Sequence, residues 1–168
     1  LINVFDFMNK IKHFLENLSK NMTGLVNPRE KTLYNKIISI NEEIVHGIPG
    51  PRTLKNGEIV SIDCGAIFKG YYSDAAFTIA VGNVSDTALK LMEATRDALF
   101  NGAKMARVGN TIGDISAAIQ ETAEDAGFSV VRHLYGHGLG LNLHEEPAIF
   151  NFGTPGSGSA IEPGMIIA

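Results

Sequence analysis

Two β-rich runs lie side by side in the sequence, Ile59-Val-Ser-Ile-Asp-Cys-Gly-Ala-Ile-Phe68 and Tyr71-Tyr-Ser-Asp-Ala-Ala-Phe-Thr-Ile-Ala-Val81, with only Lys69-Gly70 between them. Both runs are rich in β-branched and aromatic side chains, as is typical of strands. Glycine readily takes the positive φ that a two-residue hairpin turn requires. The sequence therefore predicts a β-hairpin with its turn at Lys69-Gly70.

Each strand of this hairpin carries one carboxylate, Asp63 in the first and Asp74 in the second. Directly paired residues of such a hairpin have numbers that add up to an odd constant, and side chains alternate between faces along each strand. Because 63 and 74 also add up to an odd number, both carboxylates project from the same face. Like charges held together on apolar strands repel, and a divalent cation would offset that repulsion. The alternative is that one aspartate faces solvent or pairs with a lysine or arginine.

A second group of polar residues follows in Gly136-His137-Gly138-Leu139-Gly140 and His144-Glu145-Glu146-Pro147. Glycine on both sides of His137 allows the backbone to approach another group closely. Imidazole is a good ligand for Fe, Co, Mn or Zn, so this segment is a candidate metal-binding segment. The alternative is a glycine-rich loop with two surface histidines. His46, in Val45-His46-Gly47, is a third candidate, although a single histidine of this kind is more often a buried core residue.

The rest of the chain predicts a mixture of helices and strands. An apolar stripe at three- and four-residue spacing predicts a helix over residues 4–20, and residues 21–36 are expected to form a loop. Further along we expect a strand over 37–40, helices over about 85–106 and 111–127, the second with a capping-box pair of Thr111 and Asp114, and a strand over 128–134. Because helices and strands do not alternate regularly, the fold class is α+β, with an antiparallel-rich sheet and helices on one face.

The composition excludes several classes of function. The 14 Lys and Arg residues against 18 Asp and Glu give a formal net charge of −4 and a pI near 5.7. This balance predicts no nucleic-acid partner and no membrane partner, since neither would find a basic surface. The single cysteine, Cys64, cannot form an intramolecular disulfide and favours a reducing compartment, so we expect a cytoplasmic protein.

The hairpin aspartates and the histidine segments together resemble the type I methionine aminopeptidases, which belong to the pita-bread metallopeptidase superfamily. The motifs occur in the family's order from about Ile37 to the end of the chain. The matching segments are Ile38-Ser-Ile-Asn-Glu-Glu-Ile-Val-His-Gly-Ile-Pro49, Leu54-Lys-Asn-Gly-Glu-Ile-Val-Ser-Ile-Asp63, Gly70-Tyr-Tyr-Ser-Asp74, Gly136-His-Gly-Leu-Gly140, His144-Glu-Glu-Pro147 and Glu162-Pro-Gly-Met165.

The resemblance implies a fold and a role for each site residue. The fold would be pita-bread (creatinase/aminopeptidase-like), a curved antiparallel-rich sheet with helices on the outer face, truncated at both halves. Asp63, Asp74 and His137 would bind metal, Asp63 as a terminal ligand and Asp74 as a bridging one. His46 and His144 would be catalytic, contacting the scissile peptide and stabilising the charge that develops on it.

The resemblance also implies a cofactor, a substrate and a domain layout. The cofactors would be divalent metal ions (Co, Mn, Fe or Zn), two per site in the family. Two further glutamate ligands of the family have no counterpart in residues 1–168, and Glu145, Glu146 and Glu162 do not replace them, so we expect one ion or fewer in this chain. The partner would be the N-terminus of a peptide or nascent polypeptide. Residues 1–168 would form one partial aminopeptidase domain, with a diverged helix and loop over 1–36 and the matching catalytic region over 37–168.

Three functions are compatible with these residues. The first is a metal-dependent aminopeptidase that removes the N-terminal methionine from peptides and nascent proteins. The second is a non-catalytic pita-bread homologue that acts as a polypeptide-binding module. The third is a proline-specific aminopeptidase relative. The segments Val45-His-Gly-Ile-Pro49 and Gly136-His-Gly-Leu-Gly140 favour the first function over the third, and the retained carboxylates at 63 and 74 argue against the second.

Overall fold

The structure, a computed structural model, describes residues 31–168, with side chains from residue 37 onward. The predicted helix over 4–20 lies outside the described residues. The described part contains five strands and two helices, in the order β1 Lys31–Ile40, β2 Ile59–Phe68, β3 Tyr71–Ala80, α1 Asp86–Met105, α2 Ile112–Asp125, β4 Tyr135–Gly138 and β5 Glu145–Phe150. The chain divides into two compact units, the first ending at Ser85 and the second beginning at Asp86.

The first unit contains a three-stranded antiparallel sheet in the order β1-β2-β3. The predicted hairpin is confirmed, because Phe68 pairs with Tyr71 and leaves only Lys69 and Gly70 in the turn. Both turn residues have positive φ, 50° and 82°, which is the backbone of a type I′ turn. This turn matches the natural twist of the two strands and fixes their register.

The two faces of this sheet differ in polarity. One face packs the core of the unit, in which Val60 and Ile62 are fully buried. Burying a side chain of this size stabilises a fold by roughly 1.5–3 kcal/mol. The other face carries Asp63 and Asp74. The residues of the core face and its surroundings are Ile38, Ile40, Leu54, Val60, Ile62, Cys64, Ile79 and Val81.

The second unit is built around its two helices and a small sheet. The helices approach closely at Gly102, where a Cβ would lie 2.7 Å from a side-chain carbon of Ile119. Helix α2 packs against β5, which pairs antiparallel with β4. The core between them consists of Ile112, Ile115 and Ile149, with Met105, Ile119, Ile161 and Ile167 packed around it.

The last residues of the chain lie along the other edge of β4. The backbone N–H of His137 donates to the carbonyl of Ala168 over 2.8 Å, and the N–H of Ala168 donates back to His137 over 2.8 Å. Strand β4 therefore has a hydrogen-bonded neighbour on both sides, with β5 on one edge and residues 166–168 on the other.

Three of the predicted elements need correction. The loop predicted up to residue 36 is wrong at its end, because β1 already begins at Lys31 and pairs there with Phe68. The strand predicted over 128–134 is wrong, since that stretch is irregular and the strand follows it at Tyr135–Gly138. The predicted strand ending at Val81 stops one residue earlier, at Ala80. Neither helix described between residues 31 and 168 is long and apolar enough to cross a membrane.

Candidate metal centre

The hairpin register places the two aspartates next to each other. Asp63 pairs with Ala76, and Asp74 pairs with Gly65, so the two carboxylates are diagonal neighbours across the β2–β3 ladder. Diagonal neighbours on one face are close enough for their side chains to meet. The prediction that both carboxylates project from the same face is confirmed. The apolar residues near them in sequence lie mainly on the opposite face, where they form the core.

Asp63 is the electrostatically perturbed member of this pair. Its partial burial raises the pKa of its carboxyl group, and the negative charge of Asp74 and a hydrogen bond to Asp74 raise it further. The nearby imidazole of His46 acts in the opposite direction and lowers the same pKa. A cation placed between the two carboxylates would stabilise both negative charges.

His46 is the third candidate site residue of the first unit. Its side chain is exposed, so the reading of His46 as a buried core histidine is wrong. Its backbone has a φ of +63°, in the left-handed region that residues other than glycine rarely adopt. Burial of the side chain therefore does not account for this conformation.

An ion-pair network holds the loop on which His46 lies. Arg52 donates to the Glu43 carboxylate over 3.3 Å and to the Glu58 carboxylate over 2.8 Å. Glu58 also accepts a hydrogen bond from the backbone N–H of Lys55, and these contacts lower the pKa of its carboxyl group. The sequence analysis missed this network. The available signal was an acidic residue, Glu58, placed directly before a run of buried strand residues.

In the second unit, His137 lies on β4 and its ring is oriented by its own strand. The ring atom Nδ1 lies 2.9 Å from the carbonyl oxygen of Gly138. Because a carbonyl only accepts, Nδ1 is the donor, and in the neutral imidazole the lone pair then resides on Nε2. This is the tautomer that a metal-binding histidine needs. The ring of His144 lies next to it, with a centroid distance of 4.2 Å.

The glycines beside His137 approach protein backbone. A Cβ on Gly136 would overlap the carbonyl oxygen of Ala168, and a Cβ on Gly138 would overlap the carbonyl oxygen of Glu146. These glycines therefore allow β4 to pack closely between its two neighbouring segments. The alternative of a glycine-rich loop is wrong for His137, which lies within a hydrogen-bonded strand. Residues 139–144 do form an irregular loop, and His144 in it is exposed.

The two glutamates after His144 are engaged in local contacts. Glu145 accepts hydrogen bonds from the backbone N–H and the side chain of Asn142, over 2.7 and 3.2 Å. Glu146 accepts one from the backbone N–H of Ala148 over 3.2 Å. Each contact orders the chain around the turn into β5.

The chemistry of the donor set fits a divalent transition metal. Such ions accept carboxylate and imidazole ligands. Here the two carboxylates repel each other, and the imidazole of His137 has its lone pair on Nε2. Asp63 and Asp74 belong to the first unit and His137 to the second. Within residues 31–168, no group of three or more His, Cys, Asp or Glu side chains is already gathered tightly enough to hold a metal. The shared site of these three residues stays a prediction.

Comparison with known proteins identifies the family. The model of metallopeptidase family M24 matches residues 9–168. The chain belongs to metallopeptidase family M24. A curated M24 relative, methionine aminopeptidase 1 of Bacillus subtilis, is 50% identical over 131 residues, which cover 78% of this chain and 53% of the relative.

Solved structures confirm the fold. The methionine aminopeptidase of Thermotoga maritima is 45% identical with a TM-score of 0.77, and the match covers 79% of this chain and 53% of that one. The prolidase of Pyrococcus furiosus is 27% identical with a TM-score of 0.70, over 80% of this chain and 40% of that one. The resemblance to methionine aminopeptidases and the α+β pita-bread fold are therefore confirmed. The chain spans about half the length of the curated relatives it matches.

Proposed function

We propose that this chain carries the catalytic region of a metal-dependent aminopeptidase that removes the N-terminal methionine from peptides and nascent proteins. The observation that carries the proposal is the carboxyl pair of Asp63 and Asp74, placed on one face of the hairpin. Its main outside support is the 45–50% identity to proteins that are named methionine aminopeptidases.

Each proposed site residue has a role that its chemistry allows. Asp63, Asp74 and His137 would hold a divalent ion, and such an ion would supply a bound water of lowered pKa as the nucleophile for peptide hydrolysis. His46 and His144 contact the scissile peptide and donate to the oxygen that becomes negative during the attack. Since His137 donates through Nδ1 to Gly138, its ring orientation is set before an ion binds.

The finer features of this function are also proposals. Mixed carboxylate and imidazole ligands are compatible with Co, Mn, Fe or Zn, and three ligands are expected to hold one ion or fewer tightly in this chain. The partner is the free N-terminus of a peptide or nascent polypeptide. The single cysteine favours a reducing compartment, so we place the protein in the cytoplasm.

The test is release of free methionine from Met-Ala and Met-Gly peptides with added Co²⁺, Mn²⁺ or Fe²⁺. We expect turnover that depends on the metal and is lost in Asp63→Asn, since this variant removes one ligand. His144→Ala should keep the metal but lower kcat by about a hundredfold, as for the loss of one group that stabilises an oxyanion. The matched control is Asp97→Asn, a surface aspartate on α1 that pairs with its neighbour Arg96.

The two alternative functions give different results in the same assay. Cleavage of Xaa-Pro substrates with no release of methionine would favour a proline-specific relative, for which the prolidase match is the supporting observation. Binding of peptides without turnover, with every metal tested, would favour the non-catalytic module. Either result would overturn the proposed methionine aminopeptidase.

A further inference from the structure

The segment that carries His46 is hydrogen-bonded through Gly47 to the edge of β1 that faces away from β2. The backbone N–H of Ile38 donates to the carbonyl of Gly47 over 2.8 Å. The backbone N–H of Gly47 in turn donates to the hydroxyl oxygen of Ser39 over 3.2 Å. Two consecutive residues of β1 thus satisfy both backbone groups of Gly47.

Only glycine fits at this position. A Cβ at residue 47 would overlap the carbonyl oxygen of Ile38 and lie 3.0 Å from the Cα of Ser39. The loop backbone therefore rests in direct contact with the backbone of the strand. Because strand β1 is itself paired with β2 along its other edge, this contact ties the loop to the sheet that carries Asp63.

The contact at Gly47 stabilises an otherwise unfavourable conformation of His46. A positive φ at a residue other than glycine costs about 1 kcal/mol or more of folding free energy, so it persists only where other contacts offset that cost. His46 has a φ of +63° and an exposed side chain, so side-chain burial does not offset this cost. The two hydrogen bonds of the adjacent Gly47 backbone contribute about 1 kcal/mol each, which is enough to offset this cost.

Ser39 lies where its hydroxyl can hold the Gly47 backbone in place. It is 2% exposed, and it pairs with Ser61 on the same face of the sheet as Asp63. Its hydroxyl reaches across the edge of the sheet to Gly47, so the loop is drawn toward the Asp63 face. On the N-terminal side of His46, the Glu43 carboxylate accepts from the backbone N–H of Ile40 over 3.0 Å and anchors the other end of the loop.

We propose that Ser39, acting through Gly47, is a positioning residue that holds His46 in its left-handed backbone conformation on the loop beside β1. This inference rests on the proposed function in giving His46 a catalytic task. The Ser39 hydroxyl contacts the Gly47 backbone, so its effect on His46 is through that backbone. Its loss releases the Gly47 amide and lets the His46 backbone leave the left-handed region.

The test compares Ser39→Ala with Ser39→Thr, which keeps the hydroxyl on a strand. In the parent protein the Gly47 amide is expected to be protected from hydrogen exchange. In Ser39→Ala we expect its exchange to accelerate about five- to tenfold, since one hydrogen bond of about 1 kcal/mol is lost. The ring proton signals of His46 should shift in the same variant. Ser39→Thr should restore both readings.

Kinetic measurements distinguish a displaced His46 from a general loss of structure. In Ser39→Ala we expect kcat to fall about tenfold with little change in KM, because a displaced catalytic group weakens the transition state. Metal affinity, measured by calorimetry with Mn²⁺, should not change. The matched control is Ser116→Ala, which removes an equally buried serine, 2% exposed, from the second unit.

The inference is overturned if the Gly47 amide exchanges without protection in the parent protein. It is also overturned if Ser39→Ala leaves exchange and the His46 signals unchanged, or if Ser39→Thr is as impaired as Ser39→Ala. The exchange and spectroscopic arms need no activity. Failure of methionine release would therefore refute the proposed function, while these two arms still decide whether Ser39 positions His46.

Discussion

Asp63 shows how a single residue can favour function at the expense of stability. Partial burial and the charge of Asp74 raise the pKa of its carboxyl group above the value in the unfolded chain. At neutral pH the ionised form is therefore less favourable in the folded protein than in the unfolded one. A bound cation would reverse this balance, because it stabilises the ionised form only in the folded state.

We predict that Asp63→Asn raises the melting temperature of the metal-free protein at pH 7. The same variant should weaken binding of Mn²⁺ by more than about a hundredfold, since a direct ligand contributes more than the groups that orient it. Differential scanning calorimetry with and without Mn²⁺ measures both effects. Asp97→Asn should change neither. A lower melting temperature for metal-free Asp63→Asn would contradict this interpretation of the carboxyl pair.

A second prediction at this scale concerns the glycine before His137. A Cβ at Gly136 would overlap the carbonyl oxygen of Ala168, so Gly136→Ala must push apart two hydrogen-bonded segments. We expect a loss of about 2 kcal/mol or more in the free energy of unfolding. The control is Gly50→Ala, where the nearest atom to the new Cβ lies 4.0 Å away, and the expected change is within about 1 kcal/mol. Equal stability of the two variants in urea unfolding would show that this close approach does not matter.

At the scale of elements, the start of α2 is tied to a distant loop by one carboxylate. Asp114 accepts from the backbone N–H of Thr111 over 2.7 Å and from its hydroxyl over 2.9 Å. Its other oxygen accepts from the backbone N–H of Gly156 over 3.0 Å. These bonds to the charged form lower the pKa of Asp114, with the Thr111 backbone as the largest cause.

A pH dependence follows from this lowered pKa. The Asp114 carboxylate stabilises the fold fully at pH values above the ordinary aspartate pKa of about 4, and this contribution is lost as the pH falls below it. We therefore predict that Asp114→Asn lowers the melting temperature at pH 7 and that the difference from the parent shrinks as the pH approaches 3. Melting curves recorded from pH 3 to 7 test this. A difference that stays constant across the series would mean that the charge of Asp114 is not the cause.

The elements that could be predicted are those whose signals are local. Lys69 and Gly70 take the two positive φ values of a hairpin turn, and alternation along the strands then decides which face Asp63 and Asp74 share. The capping-box pair of Thr111 and Asp114 was also predicted, because its two members lie three residues apart.

The elements that could not be predicted depend on distant neighbours. Residues 136–138 have low intrinsic strand propensity, and they form a strand because their glycines fit against the carbonyls of Ala168 and Glu146. The stretch 128–134 has suitable side chains for a strand but remains irregular. For the same reason the tie between Ser39 and Gly47 was missed, since nothing in a local pattern shows which backbone Gly47 will contact.

At the scale of the whole molecule, the proposed site draws its ligands from both compact units. Asp63 and Asp74 lie on the hairpin of the first unit, and His137 lies on β4 of the second. In the first unit the strand register brings the two carboxyl groups together, and in the second unit the hydrogen bond to Gly138 orients the imidazole. The central claim is that these parts bind one ion together.

The most direct measurement of this claim is anomalous diffraction from crystals of the protein loaded with Mn²⁺. We expect one strong anomalous peak per chain, with oxygens of Asp63 and Asp74 and the Nε2 atom of His137 each about 2.2 Å from it. An ion bound by the carboxylates with His137 remote from it, two fully occupied peaks, or no peak at the carboxyl pair would show that the three residues do not bind one ion together.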